Sequence, residues 1–249
     1  MVPVRKDEAL RSAAVVCFDL SETLVAWSAA YEAALRDAMG EWVGRWSDEG
    51  EAASLIDEAL LHYKKSRSRG KSKAACIRDA VAVLQTVSDA RTARHLAREA
   101  RRLQPRKAAF VPGAEETLLR LSGRYRLAIV TNLDAATAKE VWKRLKLHRY
   151  VRETDVFAAP PGLKKPEKRL FRSVAETLGA SPRQCVMVGD SYRRDVIGAL
   201  RAGWQAVWIR KAETRPARPR SALGRNLRIV PSITALPRLL RSKTKPEES

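Results

Sequence analysis

The stretch VVCFDLSETLV, residues 15–25, sets a short apolar run directly in front of an acid and a polar turn. The run is β-branched at its start and too short for a helix, so it predicts a buried β-strand. Asp19 therefore stands at the carboxyl end of a strand. Ser21-Glu22-Thr23 predict a turn behind it. A strand that ends in this way carries functional groups at its tip.

Beyond residue 107, predicted strands and helices alternate along the chain. We expect strands at Leu127–Val130, Val156–Ala158, Val186–Val188, Ala206–Ile209 and Ile229-Val230, and helices at Ala114–Leu121, Ala135–Leu145, Glu167–Leu178, Asp195–Ala202 and Ile233–Leu240. This alternation is typical of an α/β fold with a Rossmann-like, doubly wound parallel sheet. Ligands bind such sheets beyond the carboxyl ends of the strands. Asp19, Thr131 and Asp190 follow three of the strands, and we expect them to converge on one crevice.

Residues 26–107 have a different character, because strand-like runs vanish and apolar residues recur at helical spacing. Four or five helices are expected there, with an exposed loop over Lys64–Lys73, which lacks large apolar residues. The predicted organisation is a core of residues 1–25 and 108–242, an inserted all-helical unit of residues 26–107, and a disordered tail over 243–249.

The composition limits the possible partners and compartments. Lys and Arg number 48 against 28 Asp and Glu, a net charge of +20. Such a surface steers anionic substrates and attracts nucleic acid non-specifically, but no recognition motif accompanies it. No apolar run approaches the roughly 20 residues that span a bilayer, so no membrane partner is expected. Cys17, Cys76 and Cys185 lack metal or redox spacing, which favours reduced thiols of a cytoplasmic protein. Oligomeric state is left open.

Four motifs in order carry a resemblance to a known family: FDLSETLV at 18–25, IVTN at 129–132, GLKKP at 162–166 and VGDSYRRD at 188–195. Each motif alone is weak, but the order and spacing together resemble the haloacid dehalogenase superfamily of hydrolases. The resemblance runs from about Val15 to Leu240. The helical insertion falls where this family places a cap domain.

The resemblance implies Mg²⁺-dependent hydrolysis of a small phosphorylated substrate. Asp19 would be the nucleophile that attacks phosphorus and forms an aspartyl-phosphate. Asp19 and Asp190 would be the side-chain ligands of Mg²⁺, and the backbone carbonyl of Ser21 would be the third ligand. The ion would sit between the attacking carboxylate and the phosphate, which otherwise repel each other.

The resemblance also implies how the phosphoryl group is held. Thr131 and the backbone N–H of Asn132 would hydrogen-bond its oxygens. Lys165 would neutralise charge on Asp19 and on the phosphoryl group, and its place directly before proline favours it over Lys164. Asp195 would orient Lys165 or the water on the metal. The alternative for Asp195, as an N-cap or first-turn acid of the following helix, stays open.

Ser21 departs from the family pattern, because phosphatases of the family carry a second Asp there as general acid and then base. Loss of a general acid or base typically costs about 10²–10⁴-fold in rate. The enzyme is then a slow phosphatase, or acts on substrates with good leaving groups, or takes a proton from Glu22 or a cap residue.

Two other functions remain as alternatives. A 2-haloacid dehalogenase needs an Asp nucleophile and no metal, but the acid at Asp190 argues against it. The nearest arginine after the first motif, Arg36, lies on a helical face where a solvated role is expected. The other alternative is a weakly active or non-catalytic relative that binds anions or nucleic acid. The sequence does not name the substrate.

Overall fold

The computed structural model describes residues 10, 12–44, 48–84, 90–160, 162–210 and 226–240. The predicted tail over 243–249 lies outside these residues. The chain divides into two compact units, one of Met1–Ala26 with Phe110–Ser249 and one of Trp27–Ala109. The inserted unit thus begins one residue later and ends two residues later than the expected 26–107. The chain rejoins the core at Phe110 because Val25 bridges Phe110 and the Val111 N–H donates to the Leu24 carbonyl.

The core is a six-stranded parallel sheet with the order β3-β2-β1-β4-β5-β6. Its strands are β1 Val15–Phe18, β2 Arg126–Thr131, β3 Val156–Ala158, β4 Cys185–Gly189, β5 Gln205–Ile209 and β6 Leu227–Val230. Every pairing is parallel. The expected α/β fold is confirmed. The strand that carries Asp19 lies between β2 and β4, so the carboxyl ends of three strands meet at one edge.

Both faces of the sheet are covered, which explains why its strands read as continuous apolar runs. On one face Cys17, Val130 and Met187 belong to a cluster with residues of two core helices, Lys168–Thr177 and Gly198–Arg201. Residues whose side chains alternate to the other face of the sheet, such as Phe18 and Val188, are equally buried. The central strand is therefore held rigidly, and the residue that follows it has a fixed position.

The remaining helices follow the predictions with local differences. In chain order the α-helices are α1 Trp27–Val43, α2 Glu49–Ser68, α3 Lys73–Leu84, α4 Ala90–Leu103, α5 Ala114–Ser122, α6 Ala135–Arg144, α7 Lys168–Thr177, α8 Gly198–Arg201 and α9 Leu236–Leu239. The helix expected at Asp195–Ala202 instead begins with a π-helical segment, Tyr192–Ile197, before α8. The last helix is divided into a 3₁₀ turn, Ile233–Ala235, and the short α9, which has a proline in its first turn.

Four α-helices, α1 to α4, make up the described part of the inserted unit and share one apolar core. The exposed loop expected over Lys64–Lys73 is shorter than predicted, because α2 continues to Ser68 and α3 already begins at Lys73, which leaves residues 69–72 as the exposed connection. Lys and Arg are good helix formers. Tyr63 and Ser66 are buried, and the Ser66 hydroxyl donates to Asp79 of α3. Tertiary packing thus extends a stretch whose composition looks like a loop.

The three thiols, of Cys17, Cys76 and Cys185, are free and buried. Burial raises the pKa of Cys185 to about 11, and it raises the pKa of Cys17 as well. A thiol that stays protonated is a poor nucleophile, so Cys17 and Cys185 pack rather than react. Among the described residues, the helices are too short or too polar to cross a bilayer.

Candidate active site

Asp19 occupies a fixed position at the tip of β1. Its backbone N–H donates to the carbonyl of Val188 on β4 at 2.9 Å. The chain then turns back on itself, because the N–H groups of Leu24 and Val25 both donate to the Leu20 carbonyl. The Asp19 side chain is 7% exposed. A carboxylate with so little water around it is poised to interact with whatever charge lies beside it.

Lys165 supplies that charge. Its Nζ lies 2.6 Å from Asp19 Oδ1 and 2.7 Å from Asp195 Oδ1. The Lys165 side chain is 1% exposed, whereas the neighbouring Lys164 is exposed. Of the two lysines in the third motif, the structure places Lys165 against Asp19.

Asp195 reaches this lysine because the residue at the end of β4 has no side chain. A Cβ at Gly189 would lie 2.4 Å from the Asp195 Cγ. The second oxygen of Asp195, Oδ2, accepts the N–H of Ser191 at 2.9 Å. Ser191 itself is the N-cap and accepts the N–H of Arg194 at 3.4 Å. Asp195 therefore lies in the first turn of the helical segment, as its alternative interpretation allowed, and its Oδ1 also contacts Lys165.

Asn132 holds the backbone on either side of the Lys165 side chain. Its Oδ1 accepts the Lys165 N–H at 2.8 Å, and its Nδ2 donates to the Lys165 carbonyl at 3.1 Å. The sequence pointed only to the backbone N–H of Asn132, so this side-chain role was missed. Thr131 is buried at the end of β2, two residues beyond the pairing of Ile129 with Phe18, and its Oγ1 accepts the N–H of Leu133.

Asp190 brings a third carboxylate to the same edge. Ligand oxygens of Asp19, Asp190 and Asp195 all lie within 4.8 Å of one another. The Asp190 Oδ1 is buried and has no hydrogen-bond partner among the described residues. A buried carboxylate oxygen without a partner is costly, so the geometry suits a bound cation.

The charges in this cluster do not balance, because three carboxylates lie close together and one lysine contacts only two of them. Burial raises the pKa of Asp19, although Lys165 opposes the rise. Burial, then Asp19 and Asp195, raise the pKa of Asp190 to about 6. Burial alone would lower the pKa of Lys165, but the two carboxylates beside it outweigh burial and the pKa is raised. Mg²⁺ prefers carboxylate oxygens and would offset the excess negative charge.

Ser21 lies in the turn between Asp19 and the inserted unit. It is half-buried and pairs with Val25 in an isolated parallel bridge. Its hydroxyl makes no hydrogen bond within the described part of the chain. Glu22 follows with a φ of 62°, a left-handed conformation uncommon outside glycine. The backbone of the turn is thus tightly specified.

Thr23 and Trp208 were not assigned roles from the sequence. The Asp190 N–H donates to Thr23 Oγ1 at 3.1 Å, and the Trp208 Nε1 donates to the Asp190 carbonyl at 2.9 Å. Thr23 belongs to the first motif, so its place there was a usable signal. Trp208 lies within an apolar strand, and nothing in its sequence context distinguishes it from a core residue.

The profile of the haloacid dehalogenase-like hydrolases matches residues 13–203. The chain belongs to this family. The match includes all four motifs and the inserted unit, so the family assignment made from the motifs is confirmed. This haloacid dehalogenase-like hydrolase has the parallel sheet and the helical insertion expected of it.

Curated relatives of this hydrolase carry the names of phosphatases. It is similar to the N-acylneuraminate-9-phosphatase of Mus musculus, with 27% identity over 239 residues that cover 91% of this chain and 93% of the mouse protein. It is 28% identical over 131 residues to a glyceraldehyde 3-phosphate phosphatase from Methanothermobacter thermautotrophicus, covering 52% of this chain and 58% of the archaeal protein. Across the three archaeal phosphatases matched first, the chain spans about half of their length.

A solved structure gives the same fold over almost the whole chain. The HAD-hydrolase YfnB from Bacillus subtilis, solved bound to magnesium, superposes with a TM-score of 0.66 at 19% identity. The superposition covers 92% of this chain and 99% of YfnB. At this identity, the likeness establishes the fold alone.

Proposed function

We propose that this hydrolase is a Mg²⁺-dependent phosphatase that acts on a small phosphorylated substrate through Asp19. The observation that carries the proposal is the unbalanced cluster of Asp19, Asp190 and Asp195 around Lys165, with one buried carboxylate oxygen left without a partner. Such a site favours a divalent cation and, with it, an anionic substrate. The phosphatase names of the curated relatives and the magnesium bound to YfnB support the same direction.

In the first step, a carboxylate oxygen of Asp19 forms a bond to phosphorus while the bond from phosphorus to the leaving oxygen breaks. Lys165 holds Asp19 Oδ1 in place and offsets negative charge as the phosphoryl group approaches. Thr131 and the backbone N–H of Asn132 would hydrogen-bond the phosphoryl oxygens. A water molecule then hydrolyses the aspartyl-phosphate, which releases phosphate and restores Asp19.

Asp19 and Asp190 would hold Mg²⁺ through their side chains, and Ser21 through its backbone carbonyl. The ion supplies charge neutralisation between the carboxylate and the substrate phosphate. Asp195 keeps the lysine directed at Asp19, because it accepts from both Lys165 Nζ and the Ser191 N–H. The protein thus holds these charged groups in position before the substrate binds, so that little reorganisation is needed during the reaction.

The leaving oxygen needs a proton, and Ser21 is a poor source because an alcohol is a very weak acid. We therefore expect slow turnover of alkyl phosphates and faster turnover of substrates whose leaving groups need no proton. Three buried free thiols agree with a reducing compartment, so a cytoplasmic location is part of the proposal.

A 2-haloacid dehalogenase is the less favoured reading. The substrate of that reaction carries a carboxylate, and the excess negative charge of Asp190 and Asp195 beside Asp19 would repel it. Arg36, the nearest arginine after the first motif, is half-exposed on α1 and forms an ion pair with Asp57. Release of halide from a short haloacid in the presence of a chelator would favour the dehalogenase instead.

Attraction of nucleic acid to the basic surface stays a prediction. Helix α4 has five arginines and one glutamate, and Arg94, Arg98 and Arg101 are exposed along it. Such a face attracts phosphates in a manner that salt suppresses. It is compatible with the phosphatase, since the two activities use different residues.

The proposed function is tested with an aryl phosphate, whose leaving group needs little protonation. We expect hydrolysis that requires Mg²⁺, stops with EDTA, and falls in Asp19→Asn by more than the about 10²–10⁴-fold typical of a lost acid or base. Asp57→Asn makes the same chemical change at an exposed position and should keep full activity. Activity that persists in Asp19→Asn, or that ignores EDTA, would refute the proposal.

A further inference from the structure

The backbone of Asp190 is held by side chains that come from both neighbouring parts of the sheet. Its N–H donates to Thr23 Oγ1 at 3.1 Å, and its carbonyl accepts from Trp208 Nε1 at 2.9 Å. Thr23 is fully buried and Trp208 is 2% exposed, so water does not compete for either partner. Hydrogen bonds in such surroundings are stronger than those at the surface. The backbone atoms of Asp190 are therefore fixed from two sides.

Trp208 has little freedom to release its hydrogen bond. It lies in β5 directly opposite Gly189 of β4. Its ring packs against Tyr192 with the centroids 4.9 Å apart, and the guanidinium of Arg210 lies 5.8 Å from the ring. The direction of the indole N–H is thus set by packing on the ring, and it points at one carbonyl.

Asp190 needs such a restraint because its side chain lies among like charges. Its carboxylate comes within 4.8 Å of those of Asp19 and Asp195, and only the latter two contact Lys165. Like charges at that distance in a poorly solvated site repel one another strongly, because little water screens them. Without a cation, this force drives Asp190 away from the other two carboxylates.

We propose that Trp208 is a positioning residue for the metal site, because its indole N–H holds the Asp190 carbonyl and thereby keeps the Asp190 carboxylate where it would bind Mg²⁺ together with Asp19. The inference rests on the proposed function, since it requires that the carboxylates bind Mg²⁺. Groups that orient metal ligands from behind typically contribute about 10–100-fold to metal affinity. Trp208 acts through the backbone of Asp190 and touches neither metal nor substrate.

Trp204 provides a matched control in the same part of the sheet. It is fully buried next to β5 and packs edge-to-face on Phe171, with the centroids 5.3 Å apart. Its Nε1 has no hydrogen-bond partner among the described residues. Trp204→Phe and Trp208→Phe therefore remove the same atoms from buried positions, but only Trp208→Phe removes a hydrogen bond to Asp190.

The experiment is calorimetric titration of each purified full-length variant with Mg²⁺ alone. We expect the Mg²⁺ dissociation constant to rise about tenfold in Trp208→Phe and to stay within about twofold in Trp204→Phe. The kcat of Trp208→Phe for an aryl phosphate should recover when Mg²⁺ is saturating, whereas a merely structural loss would not be rescued. An unchanged dissociation constant in Trp208→Phe, or an equal rise in both variants, overturns the inference.

A second measurement on the unaltered protein covers the case in which Trp208→Phe does not fold. The exchange of the Trp208 indole proton with solvent, followed by NMR, should slow several-fold when Mg²⁺ is added, because the ion fixes Asp190 and suppresses opening of the hydrogen bond. An exchange rate that Mg²⁺ does not change overturns the inference alone. Failure of the unaltered protein to bind Mg²⁺ overturns the proposed function as well.

Discussion

Two ionic clusters lie at opposite ends of the strands of the same sheet and differ in the balance of positive and negative charge. At the amino edge, Arg126 at the start of β2 forms two hydrogen bonds with Asp155, at 2.9 and 2.7 Å, and a third with the Leu178 carbonyl. At the carboxyl edge, Lys165 is shared between Asp19 and Asp195, and Asp190 adds a third acid. The first cluster pairs one acid with one base. The second has two negative charges too many.

The difference suggests that the first cluster serves the stability of the fold and the second serves its function. Arg126 and Asp155 satisfy each other within the protein, so neither requires anything from outside. The carboxyl-edge cluster is complete only when a cation and a phosphate are added. Active sites are commonly strained in the free protein for this reason, and substitutions that relieve the strain stabilise the fold while they remove activity.

The largest expected effect on stability belongs to the balanced cluster. Arg126→Met leaves Asp155, which is 1% exposed, without its partner. Breaking a buried pair costs about 3–5 kcal/mol, and because the Arg126 side chain is 39% exposed we expect about 3 kcal/mol in the free energy of unfolding. Chemical denaturation measures the loss. The kcat of the folded variant should be unchanged.

Arg120→Met is the control for that substitution. Arg120 forms an exposed ion pair with Glu116 one helical turn away, and such pairs contribute about 0.3–0.5 kcal/mol. If Arg120→Met and Arg126→Met lower stability equally, or if Arg126→Met lowers kcat without loss of stability, the division between the two edges is wrong.

Asp190→Asn should change stability in the opposite direction. Because burial, Asp19 and Asp195 raise the pKa of Asp190 from 3.8 to about 6, the ionised carboxylate destabilises the metal-free fold at pH 7.5. This penalty declines as the pH falls through about 6 and is lost only below the ordinary pKa of 3.8. One pKa unit corresponds to about 1.4 kcal/mol, so we expect metal-free Asp190→Asn to gain about 2 kcal/mol at pH 7.5. Denaturation of both proteins in EDTA measures this gain.

Mg²⁺ should reverse that ranking. At about 100 times its dissociation constant, a ligand stabilises a fold by about 2.7 kcal/mol. The unaltered protein should gain this stability and Asp190→Asn should not. A variant that is less stable than the unaltered protein in EDTA would show that Asp190 is part of a balanced cluster after all.

Ser21→Asp carries the smallest expected effect and adds a further acid to the unbalanced edge. If the missing proton donor limits turnover, kcat for an alkyl phosphate should rise at least about tenfold, below the full range for general acids because the turn is built around serine. Hydrolysis of an aryl phosphate should change little. Ser21→Asn controls for size, and a matching increase in that variant would remove proton donation as the explanation.

The strands and the carboxylates at their ends were predictable because the relevant signals are local. The apolar run before Asp19 and the Gly189-Asp190 pair each indicate a strand end, and parallel order brings them together. The Lys165 side chain was chosen over Lys164 on the pattern of its motif, and the structure places it against Asp19.

Contacts made between distant segments were not predictable. Asn132 bonds to the backbone of Lys165 across 33 positions, and Trp208 bonds to Asp190 across 18. The hydrophobic periodicity of the sequence gives no indication of hydrogen bonds between residues so far apart in the chain. The error over the first half of Lys64–Lys73 has a related cause, since the end of α2 makes a part-buried hydrogen bond from Ser66 to Asp79 of α3. The polar composition correctly indicated that most of that segment is exposed, but it did not indicate that Ser66 is buried.

The bridge between Val25 and Phe110 gives the molecule a modular architecture. Because these two residues pair directly, the inserted unit leaves and rejoins the sheet through adjacent backbone positions. The core already closes the chain at this point, so the entropy of the loop depends only weakly on how many residues lie between its ends. Lineages of this fold are thus free to lengthen, shorten or exchange the insertion without retuning the sheet. The sheet and the insertion can therefore evolve along separate stretches of one gene.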